Sequence, residues 1–268
     1  MCGIAAISPA RPGNLTGATR AALISLTNRG PMAGGIAWTD AAHGEVYYEK
    51  RQGNPARMVA SGQWRIQVPR HSRAVIIHTR YATQGSPSVE ANNHPITVPG
   101  IVLVHNGTIA NDAEVFTQLR LPRTAEVDSE AIAAALGAID PDGATHCPRN
   151  VDEALSLPIG RNACIWLTPG DRPEVVHAAR VSDSPLCLAQ LKDGTAMLAS
   201  TWQAIDAMAH AWGSPTTYEE AVPEGQYLTL ARGRVATWQP LRLAHRTISL
   251  TERRRLAEAG DQATHGGR

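Results

Sequence analysis

Met1-Cys2-Gly3-Ile4-Ala5-Ala6-Ile7-Ser8 is the stretch on which the reading of the chain turns. Its apolar run, ended by Pro9, Pro12 and Gly13, reads as a buried strand that begins at a thiol one peptide bond from the amino terminus. Aminopeptidases remove Met1 when the next side chain is small, which would leave Cys2 with a free α-amine. That amine has an ordinary pKa of about 7.7–8.0 and the thiol of about 8.5, so near neutrality the amine can take the thiol proton, directly or through a water. A nucleophile and its base would then sit on one rigidly held residue. The competing reading is a small buried hydrophobe that merely starts a strand.

Outward from this strand, residues 16–28 carry Ala18, Ala21, Ala22, Leu23 and Leu26 at helical spacing, and Arg29-Gly30-Pro31 stops the helix. Residues 35–39 and 46–50 read as a hairpin turning at His43-Gly44. Residues 73–79 form a strong strand that delivers the chain into a polar loop over 80–95, and 101–105 form another that ends at Asn106-Gly107. Helices are expected at 112–119 and 129–137, then a loop marked by Pro141-Asp142-Gly143 and Pro148. Residues 164–168, 175–179, 186–191 and 196–200 read as a meander of β-hairpins, followed by a helix at 202–211 and a hairpin of 226–231 with 234–238. Residues 2–240 make one domain on this reading, and 241–268 a basic helix and tail around Arg253-Arg254-Arg255. Antiparallel strands with helices in the gaps between strand groups give an α+β fold of two stacked sheets covered by helices.

The 268 residues carry a net charge of +1 with 18% charged side chains, so no strong field recruits nucleic acid or an anionic membrane. The sequence has neither an apolar run of membrane-spanning length nor a signal-peptide pattern, and a cytoplasmic protein is expected. Cys2, Cys147, Cys164 and Cys187 form no CxxC pair, which argues against a zinc knuckle or a disulfide framework. The last three read as core or incidental thiols.

Several polar residues fall where strands end. Arg80 could grip a carboxylate with two parallel hydrogen bonds, or be a surface arginine. Asn106 and Gly107 could offer a side-chain amide and a backbone N–H to one oxyanion, although Asn-Gly is also the commonest turn dipeptide. Asp128 is most simply the first-turn acid or N-cap of the helix that follows. His78, His94 and His105 lack a metal-ligand spacing, and neither a metal nor another cofactor is invoked.

Taken together, Met1-Cys-Gly-Ile4, Asn28-Arg-Gly30, His78-Thr-Arg-Tyr-Ala-Thr-Gln-Gly85, Asn93-His-Pro95, His105-Asn-Gly107 and Asp128-Ser-Glu130 resemble, in order and spacing, the motifs of the class II glutamine amidotransferases. The resemblance covers roughly residues 2–238. It implies a four-layer αββα sandwich of the N-terminal-nucleophile type. It further implies that Cys2 is the nucleophile and its amine the base, and that Asn106 and Gly107 form the oxyanion hole. Arg80 would hold the α-carboxylate of L-glutamine and Asp128 its α-ammonium, Thr83, Tyr81 and His94 would line the pocket, and Arg29 would order the N-terminus. Tyr81 and Gln84 depart from the family, which has tryptophan and histidine there. The Arg-Gly-Tyr-Asp-Ser-Ala-Gly of the branch of the family that the chain resembles most is Arg29-Gly-Pro-Met-Ala-Gly-Gly35 here.

The expected function is that of a stand-alone glutaminase subunit supplying ammonia to an acceptor on a partner synthase or synthetase, with a homo-oligomer allowed. Two rivals are an N-terminal-nucleophile amidase for another amide, which Arg80 and Asp128 disfavour, and a silent binding module, which intact Cys2, Asn106 and Gly107 disfavour.

Overall fold

The first strand, β1 (Gly3–Ser8), is buried along its whole length in the computed structural model, which describes residues 1–40, 43–139, 148–170 and 172–243. Ala5 and Ile7 enter one core and Ile4 and Ala6 another. A strand covered on both faces needs apolar side chains at every position, which is why its sequence runs rather than alternates.

After β1 come α1 (Leu15–Leu26), β2 (Ala33–Thr39), β3 (Val46–Gln52), α2 (Pro55–Ala60) and β4 (Val75–Arg80). The middle of the chain forms β5 (Ile96–Val98), β6 (Ile101–Ile109), α3 (Asp112–Leu119), α4 (Ser129–Ile139) and α5 (Pro148–Leu155). The rest contributes β7 (Gly160–Leu167), β8 (Val175–Ser182), β9 (Cys187–Leu191), β10 (Ala196–Ala199), α6 (Trp202–Trp212), β11 (Thr216–Ala221), β12 (Gln226–Ala231) and β13 (Arg234–Pro240).

Two antiparallel sheets result, ordered β11-β9-β10-β1-β4-β2-β3 and β13-β12-β8-β7-β6-β5. One core lies between α1, α6 and the first sheet, with Leu23, Leu26, Ile205 and Met208 against Ile7, Val75 and Ile77. The middle core joins the sheets through Ile4, Ala6 and Ile76 on one side and Val102, Val104 and Ile165 on the other. A third holds α4 and α5 on the second sheet, with Ile132, Leu136 and Leu155 against Leu103, Cys164 and Trp166. The expected αββα sandwich of two stacked sheets is therefore present. Caps fix both outer helices of the first layer: the Asn14 side chain accepts from the Gly17 N–H at the start of α1, and Thr201 from Ala204 at the start of α6.

Four sequence expectations need correction. Strand β6 does not end at residue 105 but runs through Ile109, so Asn106-Gly107 lies inside a strand. Strand β4 includes Arg80 as its last residue. Pro148 begins α5 instead of marking a loop, because a proline has no N–H to lose in a first helical turn. The expected meander is divided: β7 and β8 pair in the second sheet, and β9 and β10 in the first. The loop expected at Pro141-Asp142-Gly143 and the basic helix at Arg253–Arg255 fall outside the described residues, as does Cys147. Cys164 and Cys187 are buried, and desolvation pushes their thiols up to about 12 and about 11.

Candidate active site

Strand parity gathers the candidate residues. Even-numbered Ile4 of β1, Ile76 of β4 and Val104 of β6 face the space between the sheets. The same parity turns Cys2, His78, Arg80 and Asn106 toward that space. Gly3 pairs with Thr79 and Ile4 with His78, a register that sets Cys2 beside Arg80. His78 Nε2 reaches across the seam to the His105 carbonyl at 3.1 Å, so the ends of β4 and β6 are brought together.

The start of β1 is held from several sides. Arg29 Nε donates to the Cys2 carbonyl at 2.9 Å, and Ser200 Oγ accepts from the Ile4 N–H at 3.0 Å. Thr79 Oγ1 donates to Leu26 O at 2.8 Å, which ties the end of α1 to β4. Gly30 follows at the helix exit, where a Cβ would stand 2.3 Å from the Thr79 carbonyl group, so only glycine lets the chain pass this close.

The Cys2 thiol points at the Tyr81 carbonyl oxygen, 3.6 Å away. Burial raises its pKa; the Tyr81 bond, the amino-terminal charge and Arg80 oppose this, while Asp128 adds to it. Thiol, guanidinium and carboxylate are thus close enough to act on one another. With Met1 attached, the Cys2 nitrogen is a peptide amide and not a base.

Arg80 is buried to 2% exposure. Its Nη1 donates to Asn93 Oδ1 at 2.8 Å, and its Nη2 to the carbonyls of Gln84 and Gly85, both at 2.6 Å. Three of the five donors of the guanidinium are directed at the following loop. Asp128 is 5% exposed. It accepts from the Ile109 N–H at 2.6 Å and from Ser129 Oγ at 3.4 Å, which aims it at the end of β6.

Asn106 is 1% exposed, and its Nδ2 has no hydrogen-bond partner among the described residues. A buried amide N–H left unpaired is costly, so an acceptor placed there would be favoured. The backbone groups of β6 alternate in direction: the His105 carbonyl meets His78 and the Ile109 N–H meets Asp128, both away from β7. Gly107 lies between them on the same parity, so its N–H faces this side too. A Cβ on Gly107 would stand 1.9 Å from Arg161 O of the neighbouring strand. Asn106 Nδ2 and the Gly107 N–H are thus two donors on neighbouring residues at this end of the seam.

Beneath these groups the rings of His78 and His94 stack at 3.9 Å, and His105 Nδ1 pairs with Ser129 Oγ at 2.9 Å. All three are buried. Desolvation pushes His78 down to about 3 and lowers His105 and, further, His94, so the cluster is neutral at physiological pH. Tyr81 is 45% exposed and Thr83 is exposed, both on the loop after β4. Sequence reasoning missed Ser200 and Asn92. The first lies in Ala199-Ser200-Thr201, a stretch that resembles the family but gives its serine no role, and the second sits in an Asn-Asn pair that reads as turn chemistry.

No protein-family model matches the chain. Its sequence is 32% identical over 183 residues to glutamine--fructose-6-phosphate aminotransferase [isomerizing] of Rhizobium meliloti, covering 67% of this chain and 29% of that protein. It is 36% identical over 111 residues to the protein of the same name from Shigella flexneri, covering 40% and 17%. The chain thus matches less than a third of the length of these relatives. Among solved structures, the glutamine phosphoribosylpyrophosphate amidotransferase of B. subtilis superposes with a TM-score of 0.70 at 22% identity, over 90% of this chain and 49% of that one. A glutamine aminotransferase class-II domain protein from Silicibacter pomeroyi gives 0.52 at 15%, over 90% and 99%. At these identities the superpositions speak for the fold. Fold and sequence together define a class of enzyme, the amidotransferases built on an N-terminal-nucleophile sandwich. The chain belongs to the class II glutamine amidotransferases, and its sequence likeness runs to the fructose-6-phosphate aminotransferases.

Proposed function

We propose that residues 2–240 are a glutaminase domain that hydrolyses the side-chain amide of L-glutamine once Met1 has been removed. The observation that carries this reading is the buried, unpartnered Asn106 Nδ2 beside the Gly107 N–H, at the same end of the seam as Cys2. In the first half-reaction the freed amine takes the Cys2 proton and the sulfur bonds to the amide carbon. The carbonyl electrons move onto oxygen, where Asn106 and Gly107 donate to it. The amine returns its proton to the departing nitrogen, the C–N bond breaks, and ammonia leaves a γ-glutamyl thioester. A water, deprotonated by the same amine, then attacks the thioester, the C–S bond breaks, and glutamate and the thiol form. Arg80 and Asp128 would hold the α-carboxylate and α-ammonium.

The ammonia is meant for an acceptor on another domain or protein, so that the chain works with a synthase or synthetase partner. A sugar phosphate is the first acceptor to test, because the similar proteins are named as fructose-6-phosphate aminotransferases. The reading is tested by intact mass and ammonia release. Protein lacking Met1 that yields one glutamate per ammonia, and loses both with Cys2→Ala, is expected. Active protein that retains Met1 would sink the mechanism, since an acylated nitrogen is no base.

A further inference from the structure

Glutamine carries its carboxylate and ammonium on one carbon, so a site that reads both must fix the spacing of the two groups that hold them. Under the proposed glutaminase reading these are Arg80, which ends β4 of one sheet, and Asp128, which precedes α4 over the other. Among the described residues no strand joins those two sheets by hydrogen bonds, so the spacing falls to side chains.

We infer that Asn92 and Asn93 form a strut that sets the distance between Arg80 and Asp128, and so determines preference for a free α-amino acid. The two asparagines are consecutive, buried to 0% and 3% exposure, and engage opposite partners. Asn93 Oδ1 accepts from Arg80 Nη1 at 2.8 Å, and its Nδ2 donates to Pro87 O at 2.8 Å. Asn92 grips Glu126, two residues before Asp128, at two points. Its Nδ2 donates to Glu126 Oε2 at 2.7 Å, and its Oδ1 accepts from the Glu126 N–H at 2.8 Å. A third bond, from Nδ2 to Ser86 O at 3.1 Å, fixes the amide plane.

The far end of the strut is itself anchored. Glu130, 2% exposed, accepts from the Ala125 N–H at 2.7 Å, from the Thr124 N–H at 2.9 Å and from Thr124 Oγ1. Arg123 donates to the carbonyls of Ala125 at 2.7 Å and Glu126 at 2.9 Å. Residues 123–126 are therefore a braced platform leading into Asp128. An Asn amide carries a donor and an acceptor on separate atoms, and both are used. Asn92 and Asn93 are positioning residues, which act through Arg80 and Asp128.

The test uses Asn92→Asp, which sets two carboxylates against each other, with Glu126→Gln to restore a donor facing Asp and so repair the pair with reversed polarity. Steady-state kinetics compare L-glutamine with glutaramic acid, which lacks the α-ammonium. Asn92→Asp is expected to raise KM for L-glutamine about tenfold or more, to change kcat less than about threefold, and to lower the preference for glutamine over glutaramic acid. The double variant is expected to recover part of both losses, because the bond to Ser86 O stays broken. Should Asn92→Asp fail to fold, Asn92→Ser keeps an acceptor near the Glu126 N–H but not the carboxylate contact, and the same KM effect is expected. A fall in kcat alone, with KM and preference kept, would mean a merely structural role and would overturn the strut. Wild-type protein that releases no ammonia from glutamine would overturn the glutaminase reading itself, and the substrate role of the strut with it.

Discussion

Arg29 Nε and the carbonyl oxygen of Cys2 are hydrogen-bonded at 2.9 Å, which links the exit of α1 to the first residue of the candidate site. A hydrogen bond from a charged donor is worth about 1.5–3 kcal/mol, so Arg29→Ala is expected to lower kcat/KM for glutamine about tenfold or more by loosening Cys2. Arg29→Lys should recover little, because the donor there is the side-on Nε of a planar group. Wild-type kinetics in both variants would separate Arg29 from the site.

Asn106 and Gly107 are expected to respond differently. Asn106→Ala removes a donor that makes no bond in the free protein, so melting should hold or rise while kcat falls about 10²–10³-fold. Gly107→Ala drives a Cβ into Arg161 O and should lose activity and stability together. Thermal melts beside initial rates distinguish the two. An Asn106→Ala variant with normal kcat would remove the oxyanion assignment.

Arg80 and Asp128 should act through binding. Removing one member of a charge-assisted pair is expected to cost tens to hundreds of fold in kcat/KM, on the order of 2–4 kcal/mol. Arg80→Lys should be nearly as harmful as Arg80→Ala, because it also abandons the carbonyls of Gln84 and Gly85. Asp128→Asn with unchanged glutamine kinetics would leave Asp128 a buttress of β6 and no more.

The buried histidines predict a pH dependence. Their folded pKa values lie below the ordinary 6.5, with His78 at about 3, so from pH 6.5 downward the unfolded chain binds protons that the folded chain refuses. The stability they support is fully present above pH 6.5 and falls as pH drops below it, for His78 down to about 3. Denaturant midpoints between pH 7.5 and 4.5 should show this decline, and His94→Phe should flatten it. A flat profile in the wild type would mean that the cluster takes up protons while folded.

The legible parts of the sequence were those where burial imposes a period. The first strand and α1 follow from it, and α3 was expected at residues 112–119, where it lies. Strand β11, Thr-Thr-Tyr-Glu-Glu-Ala, is a largely exposed edge whose side chains answer to solvent, so it carries no alternation to read. Strand β5 has three residues, too few for any period. The continuation of β6 through Asn106-Gly107 was hidden because the dipeptide suits a turn, whereas here glycine serves the close approach to β7. The candidate site was legible as residue types at motif positions. Its spacing was not, because Asn92 and Asn93 act through contacts with partners distant in sequence.

The middle core has a consequence for how this protein fails. Cys2 and Arg80 ride on one sheet and Asn106 and Gly107 on the other; among the described residues apolar side chains fill most of the space between the sheets, and His78 bonds across it to the His105 carbonyl, but no ladder of hydrogen bonds joins them. Apolar contacts are not directional, and they tolerate a small slip that a ladder would forbid. The site works like a vernier laid across a sliding joint: a displacement too small to change circular dichroism would already misalign the Cys2 sulfur and the oxyanion donors proposed for it. Under mild denaturant or pressure, activity should therefore fade while every strand and helix is still counted as native.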